Sequence, residues 1–290
     1  MGIDVSRVLA TSWAMFKERF WVIVGMVAVY FVIQVMFQLV GTMVMGGSFA
    51  ALRAAAGGFE EGDALMSGLG IGMIVFLVLY YVAYFVLLFA QQGSMMALAT
   101  PLHRTDFGEA LMVGLRCIVP FLLVTLLLGV IYGAVALVGV GLSMALGEWG
   151  VIAMLLVVIP VIVWLALRLS VIVPVIAVDG TRGPIDAISR TWAMTSGKAL
   201  GILVVYLVLI LVAILVFAIP LLLMVGPLMG LAGGEPSGAA VAGAIGGVLL
   251  GALAFIPAYL IYSVASTAMI ASIHAELTDA PASEAAETFS

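Results

Sequence analysis

Six stretches of this chain are almost wholly apolar and long enough to cross a bilayer: residues 21–45, 69–98, 118–146, 151–178, 200–226 and 241–273. A hydrocarbon core of ~30 Å is crossed by about 20 residues of α-helix. Backbone groups in that medium find no water, so each segment must close its own hydrogen bonds as a helix. Composition agrees with this. Of 290 residues, 66% are hydrophobic and 9% charged, whereas a soluble domain carries about 25% charged residues. Several runs exceed the required length and so predict tilts or kinks, with Pro120, Pro160, Pro174, Pro220 and Pro257 as the sites lacking a backbone donor. The first run is also too long for the apolar region of a cleaved leader, which is about 7–15 residues. The expectation is an all-α integral membrane protein of about six transmembrane helices.

Loop charge sets the orientation. Arg7, Lys17 and Arg19 precede the first run, Arg104 and Arg116 separate the second from the third, and Arg182, Arg190 and Lys198 separate the fourth from the fifth. The alternate connections hold Arg53 beside Glu60, Glu61 and Asp63, then only Glu148 and Glu235. Lys and Arg accumulate on the cytoplasmic side, so both termini are expected to be cytoplasmic. Residues 1–275 read as a single membrane domain, and 276–290 as an acidic tail too poor in apolar residues to pack.

Three basic-side segments carry helical periodicity. In residues 4–20, Val5, Val8, Leu9, Trp13, Phe16 and Phe20 share a face. In 106–116, Asp106 is a candidate N-cap and Phe107, Leu111 and Leu115 line up. In 184–198, Pro184 suits a first helical turn, and Ile185, Ile188 and Trp192 align. Each reads as an interfacial amphipathic helix, with Trp13 and Trp192 as anchors. The segments also match one another. Ser12-Trp13-Ala14-Met15 corresponds to Thr191-Trp192-Ala193-Met194, and the same offset pairs Arg19 with Lys198 and Ile23 with Ile202. Glu109-Ala110-Leu111 resembles Asp186-Ala187-Ile188, and residues 97–103 resemble 268–274. This predicts three repeats, each an interfacial helix followed by a transmembrane hairpin.

Few residues suggest chemistry. Arg168 lies inside the fourth run, ~15 Å from Asp179 along a helix. A charge at that depth costs about 2.5–3.5 kcal/mol on insertion scales and needs a partner. It is a candidate contact for an anion or lipid headgroup. It could equally snorkel from a helix end broken near Pro174, or pair with Asp179, Asp186 or free carbonyls. Gln34, Gln38, Gln91 and Gln92 are candidate intramembrane polar contacts, bonding between helices or lining a polar path. Gly243, Gly247 and Gly251 form a double GxxxG, a helix-packing signature that also permits a dimer surface. His103 and His274 are too few to form a zinc site. Cys117 has no second cysteine to pair with. No nucleophile elbow, phosphate loop or metalloprotease motif is present. No basic patch suited to nucleic acid is present either, and nothing calls for a cofactor.

Residues 168–174 (Arg-Leu-Ser-Val-Ile-Val-Pro), followed by Asp179-Gly180 and by Asp186-Ala187 leading to Thr191-Trp192, resemble a known signature. It is that of the six-span membrane domain attached to some bacterial glycerophosphoryl diester phosphodiesterases, and of related stand-alone inner-membrane proteins. The resemblance implies that Arg168 matches the family's intramembrane arginine and Trp192 the aromatic of its interfacial helix. In the fused members the phosphodiesterase chemistry belongs to a separate soluble barrel. The resemblance therefore implies a membrane module without the enzyme. The expected function is a non-enzymatic inner-membrane protein, lipid- or envelope-associated, that binds or scaffolds. Its expected partners are membrane lipids, another copy of itself or another membrane protein. The alternative is a transporter or channel for a small or amphipathic solute.

Overall fold

The computed structural model describes residues 3–55, 71–231 and 237–278. These form helices α1 (Val5–Ala55), α2 (Ile71–Ala99), α3 (Phe107–Ala145), α4 (Gly150–Arg168), α5 (Ile172–Ala177), α6 (Pro184–Thr195), α7 (Ala199–Leu231) and α8 (Gly238–Leu277). Six of the helical segments are long and apolar enough to span a membrane, with α4 and α5 together making the fourth.

Local chemistry explains where helices start and stop. The Asp4 carboxylate caps α1, accepting from the backbone N–H of Ser6 at 3.0 Å and of Arg7 at 3.2 Å. Asp106 occupies the N-cap position of α3, but its side chain makes no capping bond. Pro184 does open α6. The fourth run is not one helix, because Pro174 cannot donate to the carbonyl of Ser170 and its ring crowds that turn. The helix ends at Arg168, and Tyr206 Oη donates to the freed Ser170 carbonyl at 3.5 Å. Gly197, at φ +71°, breaks α6 from α7.

Two of the three expected interfacial helices are not separate elements. Residues 4–20 and 106–116 are the first turns of α1 and α3, which run on unbroken for 51 and 39 residues. At the second join the helix runs on through Gly114 and Pro120. Residues 276 and 277, expected in the tail, complete α8, while 279–290 lie outside the described residues. The expected loop at 46–68 is helical up to Ala55, and Glu60, Glu61, Asp63 and Glu235 also lie outside the described residues.

Both described termini, the 100–106 connection and the 178–183 loop lie at one end of the bundle, tied there by Arg7–Glu276 and Asp179–His274 contacts. The packed core sits at this end. One cluster joins Ile23, Met26, Tyr30, Met96, Ala110, Phe121, Val175 and Ala268; a second joins Val8, Val171, Ile202, Val205 and Ile273. The short helix α5 is buried among them.

Small residues make many of the inward contacts here, beside Val8 and Met15. On α3 the buried positions are Ala110, Gly114 and Cys117, while Phe107 and Leu115 point out. On α6 they are Ala187, Thr191 and Thr195, while Ile185 is exposed. On α1, Ser12 and Met15 are buried and Trp13 is 60% exposed. Lipid solvates large apolar side chains as well as protein does, so close backbone approach decides which face packs. Gly93 and Gly114 mark a close crossing, since a Cβ on Gly93 would stand 3.0 Å from Gly114 Cα.

At the opposite end the close contacts among the described residues lie within hairpins. Beyond Tyr30, α1 shields Gln34, Phe37 and Gly41 against α2. On α4, Met154 and Val158 pack on Gly139 of α3. On α7, Phe217, Pro220 and Met224 pack on Phe255, Gly251 and Tyr262 of α8. The remaining faces of these outer halves are exposed and apolar. Where α2 and α3 diverge, an apolar groove of about 450 Å³ opens between Phe85, Phe89 and Leu122.

Candidate functional site

Arg168 is the last residue of α4, at the negative end of the helix dipole. Arg168 closes the nineteen-residue helix α4, about 28 Å long, and α5 completes the same span beyond it. Its guanidinium carbon lies 5.6 Å from the Trp164 ring centre and 5.0 Å from that of Trp192, and the two indoles meet edge to face at 5.0 Å. Stacking of this kind contributes about 0.5–2 kcal/mol. Nη1 donates to the Trp192 carbonyl at 3.4 Å, and Thr195 Oγ1 donates to the Arg168 carbonyl at 3.0 Å. Arg168 Nε is buried with no acceptor. Neither Asp179 nor Asp186 pairs with it; among the described residues no carboxylate does. The result is a half-buried cation held by two indoles and a carbonyl, its charge not neutralised.

Asp179 is used elsewhere, in a cluster that hydropathy and motif spacing do not reveal. It accepts from Arg190 Nε at 2.8 Å and faces His274 Nε2 at 3.3 Å. Burial alone would raise this carboxyl, but the hydrogen bonds and charges of His274 and Arg190 outweigh it and hold the group below the usual carboxylate range. His274 is fully buried, whereas His103, its expected equivalent, is exposed. The three residues come from α8, the α5–α6 loop and α6, so only the fold unites them. Among the described residues no group of three metal-ligating side chains occurs.

The glutamines belong to a different seam. Gln34 Nε2 donates to Gln91 Oε1 at 2.8 Å, Tyr30 Oη and Ser94 Oγ are 3.0 Å apart, and Tyr80 Oη donates to Gln38 Oε1 at 2.9 Å. These bonds join α1 to α2. Gln92 is exposed on another face of α2. The structure thus does not bring Arg168 and the glutamines to one path. Of the glycine motif, Gly247 and Gly251 lie against Pro227, Leu223, Met224 and Pro220 of α7, but Gly243 meets nothing. Trp13 stacks on Phe16 at 5.6 Å under Lys17 and faces outward, whereas Trp192 is enlisted by Arg168. Scans of protein-family models, curated proteins and solved structures find no match to this chain; its own six apolar helices identify it as a polytopic membrane protein.

Proposed function

We propose that this is a non-enzymatic protein of a bacterial inner membrane that binds or organises lipid, with the core end and both termini on the cytoplasmic side. It is built from three units sharing one orientation. The observation that carries this reading is the Arg168 centre: a cation between Trp164 and Trp192 with no carboxylate partner among the described residues. A charge that the protein leaves without a carboxylate at the α4 break is matched by an anion from outside it. In a membrane the anion at hand is a phospholipid headgroup. The separated hairpins support the reading, because acyl chains can enter the apolar clefts between them. The resemblance of residues 168–192 to the membrane domains of phosphodiesterase fusions points the same way.

The test is native mass spectrometry of the protein released from its own membrane. An anionic lipid is expected to stay bound to the unaltered protein. It should be lost in Arg168→Leu and weakened in Trp192→Ala. A protein that carries no lipid, or whose lipid survives Arg168→Leu, defeats the assignment.

A further inference from the structure

The α1–α2 seam leaves one polar group unmatched within the spans. Gln34 turns into the seam to reach Gln91, but Gln38, one turn further along, is exposed. Its Oε1 accepts from Tyr80, while its amide N–H groups meet no acceptor among the described residues. An unmatched donor in hydrocarbon is costly, and bundles relieve it by bonding to another helix.

Gln38 also belongs to a series. Ala28, Phe31, Val35, Gln38 and Thr42 follow at intervals of three and four, the seam period of a left-handed coiled coil, in which one polar position sets register. All five are exposed, on the side away from the face that Ile23, Met26 and Tyr30 turn to the core. A cleft of about 270 Å³ flanks the series, lined in part by Phe31, Val35, Gln38 and Tyr84. The GxxxG surface suggested by sequence is taken, since Gly247 and Gly251 pack within their own hairpin.

We propose that α1 is the contact helix of a parallel two-fold dimer, in which the Gln38 side chains of two copies pair amide to amide. Copies inserted the same way place Gln38 at the same depth, and a carboxamide is both donor and acceptor, so it complements itself across a two-fold axis along the membrane normal. Oε1 has two lone pairs and takes the second copy's N–H while keeping Tyr80. The dimer is independent of the lipid reading, and Arg168→Leu leaves it intact.

The experiment is disulfide mapping of the full-length protein in its own membrane, in a Cys117→Ala background. Val35→Cys, Gln38→Cys and Thr42→Cys are expected to give covalent dimers on mild oxidation. Ile33→Cys and Val40→Cys, on the opposite side of α1, are expected to give none. A pattern without this periodicity, no dimer, or cross-links to other polypeptides overturns the proposal. Gln38→Leu should weaken association about threefold to thirtyfold, the range of one interhelical hydrogen bond, and Gln38→Asn should retain most of it. Tyr80→Phe removes the intrachain bond and should leave the dimer unchanged, which separates loss of the interface from loss of the fold. Association unaffected by Gln38→Leu also overturns it.

Discussion

The core-end half of α1 and the α6–α7 segment share several buried positions on different backbones. At a constant offset of 179 residues, Val8, Ser12, Ile23, Met26 and Tyr30 correspond to Ala187, Thr191, Ile202, Val205 and Leu209, and all ten are buried. Yet α1 is one rod, while the second segment breaks at Ser196–Lys198. The residue aligned with Gly197 is Glu18. Glutamate is a good helix former, whereas Gly197 adopts φ +71°, a conformation glycine reaches without penalty. The break frees α6 to turn Trp192 and Thr195 onto the end of α4, where they hold Arg168. Its counterpart Trp13, on the unbroken rod, faces outward. The non-helical backbone at Ser196 and Gly197 thus separates a continuous helix from one that packs on the end of α4.

The correspondence fails first if its buried positions are unequal. Ile23→Asp and Ile202→Asp each place a carboxylate where no surface is exposed. Each should cost at least about 3 kcal/mol and abolish the folded protein, read as monodisperse yield in detergent. Tolerance at one site alone would show that the two segments only look alike.

Both segments are also tied to the last turns of α8, with different strength. Asp179→Asn removes the anion shared by His274 and Arg190 and should lower stability by about 1–3 kcal/mol in thermal unfolding. Because the folded carboxyl lies below its ordinary 3.8, this contribution is present above that value and fades as pH falls through the lowered one. An acid unfolding midpoint unchanged in Asp179→Asn would contradict that account.

The hinge itself is the next term. Gly197→Ala forces a Cβ into the left-handed region and should cost about 1–2 kcal/mol. It should also release Trp192 from Trp164 and Arg168, read as a change in tryptophan emission. Glu18→Gly, inside an unbroken helix, should cost about 1 kcal/mol with no change at Trp192. The smallest effect is expected at Arg7–Glu276, an exposed 3.4 Å pair on the α1 side. Arg7→Gln should change stability by less than about 1 kcal/mol; a larger loss would mean the two ties are equivalent after all.

Hydropathy and loop charge were enough to count the spans, because the penalty for unsatisfied backbone in lipid leaves no other secondary structure for twenty apolar residues. They also singled out Arg168, since a charge in such a run has to be explained. They did not show which small residues pack: Phe107, Leu115 and Trp13 are exposed while Ala110, Gly114 and Ser12 go inside. They named Pro174 as a break, but only the fold brings Tyr206 to the Ser170 carbonyl. They could not find Asp179, Arg190 and His274 together, for two of the three lie 95 residues apart. Membrane-spanning character is local, set by each segment's transfer from water to lipid, and is readable in the chain. The partners of Arg168, the unmatched face of Gln38 and the ties at α8 are contacts between distant segments, and packing alone settles which of them form.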